Sequence, residues 1–169
     1  MAAKKFLTLV SGIQKLLSGV VVSAGAGNDG DLVALDATGK LDMSVLPNGI
    51  GADTAAIITS EALSVGDFVN IYDNTGTPTV RKANATDATK NAHGFVKSSY
   101  GSGVVATVYR EGDVTLSGLT TGSKYFLSTT GGGFTTTPPS ATGNVVQYLG
   151  TAQSATLLRF ETVLPIEIG

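Results

Sequence analysis

Apolar residues near the start of the chain fall at Phe6, Leu9, Ile13, Leu16 and Val20, in alternating steps of three and four, with Val10 and Leu17 widening the stripe. That spacing predicts a short amphipathic helix within residues 1–22. Gly12 and Gly19 argue against an uninterrupted one. Two heptads are too few to stand alone in water, so the stripe needs a partner. Either the chain's own β domain or the same segment of a sister subunit fits the pattern.

Residues 23–53 have little core-forming power. Glycines, Asn28 and aspartates are interrupted only by "LVAL", carrying Leu32 and Leu35, by Leu41, and by "SVLP", carrying Leu46, so an extended arm is expected. Pro47, Asn48 and Gly49 punctuate its end. From about residue 54 the period changes to two, which predicts a β domain over 54–169. "GDFVNIYD", "VVATVYRE", "KYFLS", "NVVQYLG" and "ATLLRFE" read as strands, "NTG" at 74–76 as a turn, and "VLPIEIG" as a last strand or strap.

A repeat emerges within the β domain at an offset of 56 residues. Leu63, Gly66, Ile71, Gly76 and Gly94 match Leu119, Gly122, Leu127, Gly132 and Gly150, and "GVVATVY" lies opposite "LLRFETVL". The fold class expected is therefore mainly β: an antiparallel sandwich or barrel with signs of an internal duplication, preceded by the short helix and the Gly-rich arm.

Composition narrows the functions. The 169 residues carry a formal net charge of -2, with no basic surplus to neutralise phosphates, so nucleic acid is a poor partner. Only 14% of residues are charged while 22 are glycine, the composition of a part of an assembly more than of a soluble enzyme. Cysteine is absent, which removes disulfides, thiolate metal sites and a Cys nucleophile. "KKFLTLVSGIQKLLSG" has the outline of a secretory leader, but Gln14 and Lys15 break its apolar run, and the segment is read as part of the folded chain. No apolar run approaches a membrane span.

Candidate chemistry begins with Gly25, Gly27 and Gly30, which stand in GxGxxG order. A dinucleotide site needs a helix directly after the glycines to aim its N-terminus at a pyrophosphate, and "DLVALDATGKLD" develops no helical period. "TGK" is no phosphate loop either, because Ala34 stands where the first Gly belongs and Leu41 where a hydroxyl belongs. Asn28, Asp29, Asp31 and Asp36 offer oxygen ligands for Ca²⁺, but their spacing matches no Ca²⁺ loop, and turn capping is the simpler role. His93 is the only histidine and reads as a packed or surface strand residue. Glu111 and Asp113 could pose as an acid and base pair, though turn placement explains them as well. Tyr72, Tyr100, Tyr109, Tyr125 and Tyr148 suit either a sugar-stacking surface or ordinary strand packing. No cofactor is expected.

"GDLVALDATGKLDMSVLP" and the later "GLTTGSKYFLSTTGGGFTTTPPSATGNVVQYLGTAQSATLLRFE" together resemble virion appendage and capsid-decoration proteins of tailed bacteriophages. The elements that carry the resemblance are Asp36–Pro47, Gly118–Ser128, Thr137–Pro139 and Val145–Phe160. It implies a non-enzymatic structural protein of the virion, a capsid decoration (cement) or head-fibre protein on the capsid surface. Its implied partners are the major capsid protein and its own copies as a homotrimer, whereas Ile and Leu at the helix seam would alone favour a dimer. On this reading Phe6, Leu9, Val10, Ile13, Leu16, Leu17, Val20, Leu32, Leu35, Leu41 and Leu46 are the residues of self-association or capsid binding. The rivals are a tail-fibre module binding a host surface glycan and, further off, a polysaccharide-degrading enzyme.

Overall fold

The computed structural model describes residues 5–46 and 53–169, and the chain divides into two compact units between Gly51 and Ala52. The punctuation at Pro47, Asn48 and Gly49 lies outside the described residues.

The first unit opens with a β-hairpin, not with the helix that the three-and-four spacing predicts. Strands β1 (Lys5–Val10) and β2 (Ile13–Ser18) pair antiparallel from Lys5 opposite Ser18 to Val10 opposite Ile13. Only Ser11 and Gly12 connect them, with φ of +52° and +78°. Two positive φ values in a two-residue loop make a type I′ turn, whose twist matches that of the flanking strands. Gly12, which merely weakens a helix, is what this turn demands. Beyond the hairpin the chain turns back so that Val20 and Val33 form a parallel bridge: the Val20 N–H donates to the Leu32 carbonyl and the Ala34 N–H to the Val20 carbonyl. Gly19 is required beside it, because a Cβ there would lie 2.7 Å from that of Ala34. Short 3-10 turns at Gly25–Asn28 and Met43–Val45 complete the unit.

The second unit is mainly β, as the period of two predicts. Strands β3 (Thr54–Thr59), β4 (Phe68–Asn74), β5 (Thr77–Lys82), β6 (Gly94–Val96) and β7 (Val105–Tyr109) close into a barrel of order β3-β5-β4-β6-β7. Every neighbouring pair is antiparallel except β3 with β5, which joins Ile58 and Thr59 to Thr79 and Val80. Strands β8 (Gly112–Thr115), β9 (Lys124–Leu127), β10 (Phe134–Thr135), β12 (Tyr148–Ala152) and β13 (Leu157–Phe160) form an open sheet of order β10-β9-β12-β13-β8. A separate pair joins β11 (Val145–Val146) to β14 (Ile166–Glu167), so the tail ends in a strand.

The open sheet repeats the barrel's strand order, with β5, β4, β6, β7 and β3 answered by β10, β9, β12, β13 and β8. Registers agree in detail. Phe68 opposite Phe95 and Val69 opposite Gly94 recur 56 residues later as Lys124 opposite Thr151 and Tyr125 opposite Gly150. The Gly66 N–H bond to the Val96 carbonyl recurs as Gly122 to Ala152, and Gly66 and Gly122 share a φ near +80°. One sequence match needs correction. Val96 pairs with Val108 where Ala152 pairs with Leu158, so the last strand repeats at an offset of 50, because the path from Ala152 to Leu158 is six residues shorter than that from Val96 to Val108.

Alternation along the strands sorts two cores. Val69, Val80, Val96, Ala106 and Val108 fill the barrel with Ile57 and Leu63. Phe68 and Phe95 point the other way, outside the barrel, into the concave face of the open sheet among Leu127, Leu149, Leu158 and Phe160. The three rings of Phe68, Phe95 and Phe160 meet at centroid distances of 5.5 and 5.6 Å.

Candidate assembly surface

Because side chains alternate along a strand, the register of β1 and β2 fixes two faces. One carries Leu7, Leu9 and Leu16 with Gln14 opposite Leu9 at the turn end and Lys5 and Ser18 at the open end; the other carries Phe6, Leu17 and Ile13 around the Thr8–Lys15 pair. Both are apolar and both face solvent. Leu7, Leu9, Ile13 and Leu16 are each more than 60% exposed (65%, 67%, 62% and 62%), and Phe6 and Leu17 are exposed as well. Val10 lies opposite Ile13 in the backbone, and its side chain is outside the description.

In the arm, Leu32, Val33, Leu35 and Leu41 are exposed and Val20 and Leu46 are half-buried. Among the residues of 5–46 whose burial is described, none is buried. An isolated two-stranded hairpin is at best marginally stable in water, so a unit whose described side chains are all at least partly exposed calls for apolar cover from elsewhere. The sequence-predicted residues lie on the two faces of a hairpin and along the following arm in place of one helical stripe.

The Gly- and Asp-rich stretch is folded into side-chain-capped turns. Oδ1 of Asp36 accepts hydrogen bonds from the Thr38 N–H (2.8 Å), the Thr38 hydroxyl (2.8 Å) and the Lys40 N–H (2.9 Å). The Lys40 N–H and the Thr38 hydroxyl hold its carboxyl below the usual value, and the hydroxyl and N–H of Ser44 do the same for Asp42. Asn28 accepts from the Ala24 N–H and donates to Asp31. After Gly30 the chain is extended and turning, and no helix N-terminus faces the glycines. Among the described residues no three His, Cys, Asp or Glu side chains gather as metal ligands.

Other candidates are absorbed by the second unit's own structure. Nδ1 of His93 accepts the Ile71 N–H at 3.0 Å, and burial lowers its pKa below the usual 6.5. Glu111 sits exposed at a bend, whereas Asp113 belongs to β8 and pairs with Arg159 at 3.6 Å. The tyrosines do not form one stacking surface. Tyr125 accepts the Thr120 N–H, Tyr100 the Thr107 N–H, Tyr148 bonds Thr151, Tyr109 stacks on Phe95, and Arg81 covers the ring of Tyr72 at 4.3 Å.

Sequence reasoning passed over Gln147, which is 1% exposed. Its amide accepts the Ala92 N–H (2.7 Å) and donates to the Ala92 and Val163 carbonyls (2.8 and 2.9 Å), joining the link between β11 and β12 to the segment before β6 and to the tail. A polar residue inside an otherwise apolar strand pattern was its only signal.

In comparisons with protein-family models, curated proteins and solved structures, the chain matches none.

Proposed function

We propose that this protein is a non-enzymatic structural component of a phage virion, a capsid decoration or head-fibre protein that assembles as a homotrimer and binds the major capsid protein through its first unit. The observation that carries the reading is the hairpin Lys5–Ser18, whose two faces expose leucines and isoleucine to water. Covering such faces is favourable by about 25 cal/mol per Å² of apolar surface before association costs. The second unit buries its own cores and suits display. The "GDLVALDATGKLDMSVLP" and "GLTTGSKYFLS" resemblances supply the phage context.

The test places a charge on each hairpin face. Ile13→Asp with Leu16→Asp should reduce the wild-type trimer to monomer by light scattering and abolish cosedimentation with capsids, while leaving the thermal transition of the second unit in place, since neither residue belongs to its cores. An unchanged oligomer that still binds capsids would sink the reading.

A further inference from the structure

We infer that copies of this chain join head to tail, the hairpin of one copy lying on the arm of the next; the inference rests on the self-association proposed above and names its geometry. Charge is divided unevenly within the first unit. Lys5 and Lys15 are the only charged residues of the described hairpin, two positive charges, whereas Asp29, Asp31, Asp36 and Asp42 against Lys40 leave the arm over 19–46 with three negative ones. Each hairpin face carries one lysine, Lys5 beside Leu7, Leu9 and Leu16 and Lys15 on the other face, so hairpin on arm sets opposite charges together whereas hairpin on hairpin brings only positive ones.

Apolar surface matches in the same way. Leu32, Val33, Leu35 and Leu41 of the arm are about half exposed (55%, 51%, 57% and 48%), enough to receive Leu7, Leu9 and Leu16. The carboxylates at Asp36 and Asp42 are held ionised by their turn hydrogen bonds, so the acidic side of the interface is fixed in place before a neighbour arrives. Two different patches meeting in this way form a heterologous contact, which closes into a ring when the rotation permits.

The chain has no cysteine, so introduced thiols form the only disulfides. Full-length Leu9→Cys and isotope-labelled Leu35→Cys chains, mixed and oxidised, should yield a disulfide between the two variants that mass spectrometry identifies, and neither variant alone should cross-link to itself. The wild-type association constant should fall at least tenfold between about 0.05 and 1 M NaCl. A Leu9 to Leu9 disulfide, or an assembled mixture without the mixed disulfide, overturns the head-to-tail geometry while self-association stands. A wild-type chain that stays monomeric overturns both.

Discussion

Gln147 and His93 show how single polar side chains hold the second unit together. Replacing Gln147 by Leu keeps the volume roughly constant but strands the N–H and carbonyl of Ala92, itself fully buried, with no partner for either. Each buried unsatisfied group costs about 1–3 kcal/mol, so Gln147→Leu should lower the unfolding free energy by about 2–6 kcal/mol, read from the urea midpoint. A variant within 0.5 kcal/mol of wild type, the usual range of a surface change, would show that the clamp contributes nothing. His93 makes stability depend on pH. Its folded pKa lies below 6.5, so between the two values the unfolded chain binds the proton that the folded one excludes. Stability is therefore complete above pH 6.5 and is lost as pH falls through the lowered value, because a proton on Nδ1 breaks the bond from the Ile71 N–H. Asp87 acts in a separate, lower window. The hydroxyl and N–H of Thr89 bring its carboxyl down to about 2, so its contribution is present above 3.8 and fades towards 2. In thermal melts, His93→Gln should flatten the dependence below pH 6.5 and leave the acid limb near pH 3 unchanged; an unaltered upper limb would disprove the assignment to His93.

At the scale of elements, the β domain was legible and the N-terminal helix was not. Along "GDFVNIYD" the alternation is real, and it divides Phe68 and Val69 between two cores, so a period of two led to the right element and the right burial. The N-terminal stripe misled because an apolar residue every three or four positions also populates both faces of two short strands. A helix would need one face covered; a hairpin with both faces apolar needs two. What distinguishes the two readings is local: Ser11–Gly12 stands midway between two six-residue segments, and Gly12 is costly in a helix but suited to φ +78°. The Asp36 turn was legible for the same kind of reason, since an aspartate two residues before Thr38 and four before Lys40 has their backbone N–H groups within reach of its carboxylate, while the Gly39 N–H closes the turn on its carbonyl. Gln147 was hidden because its three partners come from Ala92 and Val163, which only the tertiary fold brings near. The repeat was visible through glycines at equivalent turns, and its last strand was misaligned because apolar residues at neighbouring offsets look alike until the pairing fixes them.

For the whole molecule, the division of buried surface decides what each unit does alone. The core side chains run from Ile57 to Phe160, all within residues 52–169, and none of the residues of 5–46 whose burial is described joins them. A chain of residues 52–169 has the barrel, the open sheet that receives Phe68 and Phe95, and the pair that secures the tail, which is enough chain to bury most of a core. Expressed alone, it should keep the urea midpoint and near-ultraviolet dichroism of the full protein's second unit, and it should sediment as a monomer at concentrations where the full chain assembles. Residues 1–51 alone should give no cooperative unfolding transition at low concentration and gain one as concentration rises, if self-association as proposed supplies their stability, since such stability follows mass action. A truncated second unit that still forms the full protein's oligomer would move the assembly surface out of the hairpin and arm. It would overturn the proposed role of Phe6, Leu9, Ile13 and Leu16 while leaving the fold and its cores as they stand.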